Sequence, residues 1–297
     1  MATERPPVCD YEGSNYQDSF WDRGGREYED RVEEIALRRL LPRSGNLLLE
    51  LGAGAGRNTP RYQDFERVVL LDYSRTQLLQ ARQRLGDHER YLFVAADIYR
   101  LPFVPGLFEA ATLIRTLHHI VAPSQALEQI RRTLQPGAIF ILEFANKQNL
   151  KAMLRYAFRS QSWSPFSLEP VEFAALNFDF HPRAVRSWLQ QAGFRIERQL
   201  TVSHFRIGLL KRIVPLRLLV WLDSLAQLTG DWWQVTPSVF VRAQAVGDSP
   251  RAALGTIFRC PECGSFPLEQ SAELLSCLAC GLRWVVRDGI YDFREPL

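Results

Sequence analysis

A glycine-rich turn after the first strongly apolar run limits the folds open to this chain more than any other feature. The segment LLLELGAGAGRN, residues 47–58, passes from leucines through Glu50 to Gly52, Gly54 and Gly56. Glycine lets the backbone turn sharply and come close to a ligand, and a helix after such a turn offers unpaired N–H groups. The pattern predicts a strand, a ligand-binding turn and a helix, an arrangement that NAD-binding folds share.

Short apolar runs alternate with helix-period segments through the first two-thirds of the chain. This alternation is typical of βαβ units and of a parallel sheet covered by helices on both faces. Seven strands are expected, at about 47–51, 67–72, 91–96, 109–115, 138–144, 194–203 and 238–245. Between them, Ser74 and Ser124 are predicted to cap the helices that follow. We therefore expect an α/β fold with a Rossmann-like sheet.

Two acidic residues stand at the ends of the second and third predicted strands. Asp72 follows Gly52 by about 20 residues, where the order of a Rossmann unit places a carboxylate against ribose hydroxyls. Asp97, followed by Ile98, is placed to meet an adenine amine. Glu50, Asp72 and Asp97 have an alternative role as caps of the following helices, since acids are common there. Three acids in this order at one sheet edge favour a nucleoside site.

Four of the five cysteines form two CxxC pairs, Cys260 with Cys263 and Cys277 with Cys280, and a glycine follows each pair. Each CxxC turn directs two thiolates to one point, so two turns complete the tetrahedral shell of a Zn²⁺ ion. With four sulfur ligands, the predicted zinc is structural and stabilises a segment too short to build its own core. Cys9 stands apart, and this cysteine usage suits a reducing cytoplasm better than a disulfide framework.

The sequence is expected to divide into one large and one small unit. Residues 1–246 are predicted to form the main domain, 247–256 a linker rich in Gly, Pro, Ser and Ala, and 257–297 a small β-rich zinc ribbon. Two inserts, about 148–180 and 204–236, interrupt the main domain. The aromatic first insert is expected to line an apolar pocket or to form a small satellite core. The basic, apolar start of the second is expected to pack on the sheet or to rest on a membrane surface.

The net charge and the hydropathy pattern exclude few classes of binding partner. The formal net charge of +3, from 36 basic and 33 acidic residues, is too mild to indicate nucleic acid, whose binding is usually marked by a concentrated basic face. The start, MATERPPVCDYEG, lacks the pattern of a secretory signal. Lys211, Arg212, Pro215 and Arg217 interrupt the most apolar stretch, so no transmembrane helix is expected. These observations predict a cytoplasmic protein, with peripheral membrane contact left open.

Beyond the turn, the sequence resembles the class I S-adenosylmethionine-dependent methyltransferases, especially the type that includes the ubiquinone and menaquinone C-methyltransferases. The likeness runs through LELGAGAGRN, LLDYS, AADIYRLPF, LIRTLHHI and LEQIRRTLQPGAIFILEF. It is close over about 28–147 and continues in outline to about 245. The resemblance implies a seven-stranded, mostly parallel sheet whose last strand, 238–245, is antiparallel. It also implies S-adenosylmethionine as methyl donor.

The resemblance also implies roles for individual residues. It assigns Glu50 and the glycine turn to the methionine end of the cofactor, and Asp72 to the ribose. It assigns Asp97 with Ile98 to the adenine, and it places Arg115 beneath the methionine moiety. The complete set of implied cofactor-binding residues is Glu50, Gly52, Ala53, Gly54, Gly56, Asn58, Asp72, Tyr73, Asp97, Ile98, Arg115 and Thr116.

A sulfonium methyl group is already activated, so alignment of the acceptor with the methyl and sulfur atoms is the main task of such an enzyme. His118, His119 and Glu143 are the nearest candidates for proton removal, and the pattern nominates none of them as a catalytic base. By the same resemblance, an aromatic segment before the first helix is expected to fold over the bound cofactor; it contains Tyr11, Tyr16, Phe20 and Trp21.

The tail RWVVRDGIYDF, residues 283–293, is similar to the end of a family of small zinc-ribbon proteins, one branch of which binds and activates methyltransferases that act on translation components. The resemblance covers roughly 257–294 and favours a ribbon that acts in cis, covering apolar surface or presenting substrate. The sequence therefore predicts methyl transfer to a small-molecule or lipid acceptor. The alternatives are an RNA or translation-protein acceptor, a non-catalytic binding module and a nicotinamide oxidoreductase.

Overall fold

The computed structural model describes residues 6–14, 25–248, 251–252 and 255–297. Within these ranges the α-helices are α1 (Glu27–Leu40), α2 (Arg75–Leu85), α3 (Pro123–Thr133), α4 (Leu150–Ala157), α5 (Pro182–Gln191), α6 (Gly208–Ile213) and α7 (Leu216–Ala226). The strands are β1 (Gly45–Leu51), β2 (Phe65–Asp72), β3 (Tyr91–Ala95), β4 (Phe108–Leu113), β5 (Leu134–Ala145), β6 (Val171–Ala174), β7 (Asn177–Asp179), β8 (Phe194–Val202), β9 (Ser238–Ala245), β10 (Glu269–Gln270), β11 (Leu274–Ser276), β12 (Arg283–Arg287) and β13 (Ile290–Asp292).

Seven strands form the centre of the main sheet, in the order β3-β2-β1-β4-β5-β9-β8. The first five strands of the chain run parallel to one another. β9 is antiparallel to both of its neighbours, β5 and β8. The predicted fold class is therefore confirmed, including the antiparallel last strand of the Rossmann-like unit.

Both faces of this sheet are buried, as the apolar runs predicted. Along β2, Val69 and Leu71 belong to the apolar cluster that contains side chains of α3 and α5. Val68 and Leu70 belong to a different cluster, which contains side chains of α2. Successive side chains of a strand point to opposite faces, so a continuous apolar run is buried only where helices cover both sides.

The two predicted helix caps have different outcomes. Ser74 Oγ accepts a hydrogen bond from the Gln77 N–H at 3.2 Å, as predicted for the start of α2. The prediction for Ser124 is wrong, because α3 already begins at Pro123 and its N-cap residue, Ala122, has no side-chain cap. Proline has no N–H and a fixed φ, which suits the first turn of a helix.

The cysteine-bearing segment, which we call the ribbon (255–297), extends the main sheet. Its strand β13 pairs in parallel with β3, so that Ile290 lies opposite Phe93 and Asp292 opposite Ala95. β12, β11 and β10 follow as an antiparallel meander. The domain boundary at 247–256 stays a prediction, although the strands on either side of it share one sheet.

The ribbon also shares its apolar core with the main sheet. Trp284 and Phe293 are buried with their ring centroids 5.6 Å apart. Phe258 lies 5.1 Å from Phe293 and stacks at 6.1 Å on Phe103, in the loop between β3 and β4. Burial of three aromatic rings at this junction ties the ribbon to β3 through packing as well as through hydrogen bonds.

The two inserts lie beside the ends of β5 and β8. The first contains α4 and the separate hairpin β6–β7, and the second contains α6, α7 and a 3₁₀ turn at Gln227–Thr229. Among the helices of the described ranges, none combines the length and the apolar character that a bilayer span requires.

Candidate active site and metal centre

A cavity opens at the carboxyl ends of β1, β2 and β4, the edge at which parallel sheets of this kind bind ligands. Most of the predicted cofactor-binding residues line it, namely Gly52, Ala53, Gly54, Asn58, Asp72, Tyr73, Ile98, Arg115 and Thr116. The structure therefore brings together residues from four separate strand ends.

The glycine turn forms one wall of the cavity. Gly52 and Gly54 have φ values of 65° and 53°, in the left-handed region that glycine adopts without strain. A Cβ atom on Gly52 would lie 2.0 Å from Thr116 Oγ1. The Gly54 N–H donates to Asp72 Oδ2 at 2.8 Å, which holds the turn against the end of β2. The turn at Gly52 consequently has room for backbone alone.

The Asp72 carboxylate forms a second wall, beside Tyr73. While Oδ2 accepts from Gly54, Oδ1 accepts from the Ser74 N–H at 2.9 Å. Burial raises the pKa of this carboxyl, and the backbone N–H groups of Ser74 and Gly54 oppose the rise. A carboxylate offers about four acceptor positions, so about two remain for a ligand. Two vicinal hydroxyl groups, as in ribose, fit that requirement.

Arg115 connects the end of β4 to α1. Its φ of 58° is uncommon for a residue other than glycine. Its guanidinium pairs with Glu33, and Arg57 pairs with the same carboxylate at 2.9 Å. Burial would raise the pKa of Glu33, but the two guanidinium groups together hold it below its usual value. Glu33 was not among the residues predicted from the sequence. It could have been recognised as an acid on the apolar face of α1, four residues after the equally buried Glu29.

Three predicted residues do not line the cavity. Glu50 is buried beside it, where it accepts from Thr59 Oγ1 at 2.6 Å, and burial raises its pKa to about 7. A Cβ on Gly56 would lie within 3.2 Å of side chains of α2, so this glycine allows close helix packing. Asp97 accepts from the Tyr99 N–H at 2.9 Å. Direct cofactor contacts from Glu50, Gly56 and Asp97 stay predictions.

The segment 6–14 lies over the cavity and contributes Tyr11 and three other residues to its lining. The Tyr11 hydroxyl is 3.1 Å from His119 Nε2, and the two rings meet edge to face. Of the aromatic residues that were expected to cover the cofactor, Tyr16, Phe20 and Trp21 lie outside the described residues.

Glu12 holds this segment in place from two sides. Its carboxylate accepts from the Arg75 N–H at 2.9 Å, at the start of α2. The guanidinium of Arg294, from the ribbon, approaches the same carboxylate at 3.3 Å. Arg294 also pairs with Asp292 at 2.7 Å and lies 5.9 Å from the centre of the Tyr73 ring. The ribbon thus reaches the rim of the cavity.

The hairpin β6–β7 approaches the opposite side of the cavity, since Leu176 O lies 3.2 Å from His119 Nδ1. Two carboxyl groups belong to the neighbouring strands β5 and β7, of which Glu143 is buried and Asp179 half-buried. Burial raises the pKa of Glu143. Burial also raises the pKa of Asp179 in β7 to about 6, although Arg206 opposes the rise. Glu143 was a candidate for proton removal from the sequence alone. Asp179 was not predicted, because it lies in an insert without a recognisable motif.

Neither histidine of the LHHI segment is charged at neutral pH. Burial lowers the pKa of His118 far below its usual value, and the neighbouring His119 and Arg115 add to this effect. Burial also lowers the pKa of His119, although its hydrogen bond to Leu176 acts in the other direction. A neutral imidazole carries one donor and one acceptor nitrogen, and both nitrogens of His119 already have a partner.

The four ribbon cysteines converge on one point. Their sulfur atoms all lie within 4.8 Å of one another. Cys260 Sγ is 3.7 Å from Cys280 Sγ, and Cys263 Sγ is 3.5 Å from Cys277 Sγ. A tetrahedron with Zn–S bonds of about 2.3 Å has sulfur atoms about 3.8 Å apart. The donor set and its spacing therefore fit a four-coordinate Zn²⁺ ion.

Comparison with known proteins agrees with this geometry. Residues 49–142 match the family model described as a methyltransferase domain. A demethylmenaquinone methyltransferase of Clavibacter sepedonicus is 29% identical over 56% of this chain and 72% of its own length. An uncharacterised chloroplastic methyltransferase of Arabidopsis thaliana is 33% identical over 48% of this chain and 43% of its own length.

Among solved structures, the fold is similar to a chain in the complex between the Haloferax volcanii Trm112 methyltransferase activator and a methyltransferase. That match has a TM-score of 0.56 at 17% identity and covers 78% of this chain and 96% of the other. The sheet order and the cavity at the glycine turn define a class I methyltransferase fold. Together with the family match, they show that the chain is an S-adenosylmethionine-dependent methyltransferase.

Proposed function

We propose that this enzyme transfers the methyl group of S-adenosylmethionine to a small apolar acceptor of the kind represented by demethylmenaquinone. The observation that carries the proposal is the similarity to the Clavibacter demethylmenaquinone methyltransferase, which extends over 177 residues. The aromatic side chains of the first insert do not line this cavity, and several of them, such as Phe158 and Phe173, are exposed.

In this proposal the glycine turn and Asp72 hold the cofactor. The turn at Gly52 and Gly54 lets the backbone approach the methionine moiety, and the free acceptor positions of Asp72 bind the ribose hydroxyls. Ile98 and Tyr73 lie beside the adenosyl group in the cavity lining. When bound, S-adenosylmethionine supplies an activated methyl group, so these residues act by positioning.

A methylated acceptor must also lose a proton. Asp179 itself lies outside the cavity lining, but an acceptor that reaches from the cavity to the hairpin β6–β7 would meet it, and its pKa, raised to about 6 by burial, suits proton uptake near neutral pH. The hairpin that carries Asp179 contacts His119 at the cavity wall. This role is part of the proposal, and replacement by asparagine should lower kcat more than it changes the affinity for S-adenosylmethionine.

We further propose that the ribbon binds a structural Zn²⁺ ion and acts in cis. Four sulfur ligands leave no coordination site for water, so the ion serves folding. The ribbon covers the edge of β3, and Arg294 anchors the segment over the cavity. Reduced thiolates at this centre are consistent with a cytoplasmic location, which remains part of the proposal. The similarity of residues 283–293 to zinc-ribbon proteins that activate methyltransferases of translation components supports a second candidate, in which the acceptor is RNA or a translation protein.

The cofactor assignment is tested by isothermal titration with S-adenosylmethionine. Gly52→Ala should weaken binding by about 100-fold or more, because the new Cβ overlaps Thr116 and the backbone conformation becomes strained. Gly208→Ala is the matched control, since no atom lies within 4 Å of its added Cβ. Equal affinity of the two variants would contradict the proposed site.

The acceptor is tested by incubating the zinc-loaded protein with labelled S-adenosylmethionine and separate lipid, metabolite and RNA fractions. Label in an apolar quinone or phenol supports the first candidate. Label in RNA or in a translation protein overturns it and supports the second.

A further inference from the structure

A stripe of exposed apolar side chains runs along α7. Leu218, Trp221, Leu225 and Leu228 follow one another at intervals of three or four residues, and they are 46%, 57%, 51% and 44% exposed. That spacing places them on one side of the helix. The opposite side carries the buried Leu219, which packs in the core with α1. The helix therefore has two apolar faces, of which one contacts the protein.

A second exposed apolar stripe lies on and just after α4. Leu150, Leu154 and Phe158 are 54%, 49% and 79% exposed, at intervals of four residues. The two stripes are connected through residues 232–235, because the Leu150 N–H donates to Val235 O at 2.8 Å. Trp232 and Trp233, in the same connection, are 78% and 64% exposed. We call α4 with Phe158 and Arg159, α7 with Leu228, and residues 232–235 the insert face.

Cations border these stripes. Each residue of the α4 stripe is followed directly by an exposed cation, namely Lys151, Arg155 and Arg159. Arg212 and Arg217 are exposed beside α7. The segments 148–168 and 204–222 contain three and four basic residues and no acidic residue, although the whole chain has a net charge of only +3. Two of these seven cations, Arg206 and Lys211, pair with Glu29 of α1. Positive charge is thus concentrated where apolar side chains are exposed.

We propose that the insert face docks on the surface of an anionic lipid bilayer. Leucine and phenylalanine suit the acyl region, tryptophan suits the boundary with the headgroups, and interleaved Lys and Arg attract anionic lipids. An apolar patch of this kind on a single chain marks an interaction site. The charged side chains that are exposed on this face are all basic, which suits an anionic surface; they are Lys151, Arg155, Arg159 and Arg217.

The position of the face relative to the cavity agrees with this assignment. α4 follows β5 at the carboxyl edge of the sheet, and the hairpin β6–β7 of the same insert contacts His119 in the cavity wall. A membrane held against the insert face would therefore lie on the same edge of the sheet as the cavity. The inference concerns membrane binding alone, so it stands or fails separately from the acceptor that is methylated.

The test uses the full-length, zinc-loaded protein with phosphatidylcholine vesicles, with and without phosphatidylglycerol, in a flotation assay. We expect the protein to float with the phosphatidylglycerol vesicles and to show a blue shift of tryptophan fluorescence. Lys151→Glu combined with Arg155→Glu should weaken vesicle affinity by about 10-fold or more, since each cation near the surface contributes about a factor of five. Trp221→Ser combined with Leu225→Ser should weaken flotation and reduce the blue shift, to which Trp232 and Trp233 of the same face continue to contribute.

Leu278→Ser is the matched control, because Leu278 is 78% exposed on the ribbon, outside the insert face. It should float like the unchanged protein. The affinity of every variant for S-adenosylmethionine checks that the main domain is intact. Absence of flotation, equal flotation with neutral vesicles, or a dimer in solution that Trp221→Ser dissociates would each overturn the proposal.

Discussion

At its β3 end the sheet is extended by a strand of the ribbon, whereas at its β8 end it is covered by a turn. Ile290 and the two following residues pair in register with β3. At the other end, the Gln199 N–H of β8 donates to Asp231 Oδ1 at 2.7 Å, and Gly230 packs against the backbone of the strand. The ribbon moves the free edge of the sheet to the two-residue strand β10, and the turn covers the edge of β8. Both arrangements limit the length of edge that could pair with other chains.

The two ends differ more in their apolar side chains. The ribbon buries Trp284 completely, whereas Trp221 on α7 remains 57% exposed. The short ribbon thus completes the apolar core at the β3 end of the sheet. At the β8 end, the helices of the inserts leave part of their apolar surface exposed. The difference agrees with the two proposals, that the ribbon serves folding and that the insert face docks on a membrane.

Removal of the proposed metal from the ribbon should have the largest effect on stability. Structural zinc binds such sites with a free energy on the order of 10 kcal/mol, so a chelator should unfold the ribbon and uncover β3. Thermal denaturation with and without chelator measures the loss. Cys9→Ser should respond to chelator like the unchanged protein, because Cys9 is outside the cluster. An unchanged melting temperature after verified metal removal would show that the ribbon does not depend on the ion.

Trp284→Ala is expected to have the next largest effect. The side chain is fully buried between the ribbon and the main core, and truncation of a buried tryptophan costs about 3–5 kcal/mol. Urea denaturation measures the free energy of unfolding. Trp232→Ala, at a position that is 78% exposed, is the control and should lose far less.

Glu50→Gln tests β1, which lies in the sheet between its β3 and β8 ends. Burial raises the pKa of Glu50 from 4.5 to about 7, so between these values the folded protein binds more protons than the unfolded chain. Protonated Glu50 therefore stabilises the folded protein fully below pH 4.5, and this stabilisation is lost as the pH rises through 7. The loss is about 3 kcal/mol, at about 1.4 kcal/mol per pKa unit.

The glutamine variant should lack that loss, so its free energy of unfolding should fall less between pH 5 and pH 8. Urea denaturation at both pH values gives the comparison. Glu66→Gln, at an exposed position of β2, should keep the pH dependence of the unchanged protein. If Glu50→Gln kept it too, the carboxyl would not be the titrating group.

Trp221→Ser should have the smallest effect on stability. An exposed side chain away from caps and charge networks usually changes the free energy of unfolding by about 0.5 kcal/mol or less when it is replaced. Urea denaturation of this variant beside Trp284→Ala compares the same residue type at the two ends of the molecule. A loss of several kcal/mol would show that the stripe on α7 supports the fold, and would leave the insert face without a function in docking.

The sequence predicted the central sheet because periodicity is a local signal. Each apolar run matched one strand, and the glycine turn and Asp72 met because the ends of parallel strands share an edge. The pairing of Ile290 with β3 was beyond prediction, because register between distant strands depends on packing of both. Glu33 was missed since its two guanidinium partners come from remote loops. Asp179 was missed because its pKa depends on burial, which a hairpin without a motif does not reveal.

The contact between Glu12 and Arg294 has a consequence for synthesis on the ribosome. The two residues are separated by 282 positions, so the segment over the cavity can gain its full set of contacts only after the ribbon has emerged and folded. A nascent chain halted before the ribbon would have its glycine turn in place but a loosely covered cofactor cleft. Maturation of the cleft is therefore coupled to synthesis of the ribbon and, where the four cysteines hold the proposed zinc, to delivery of that metal.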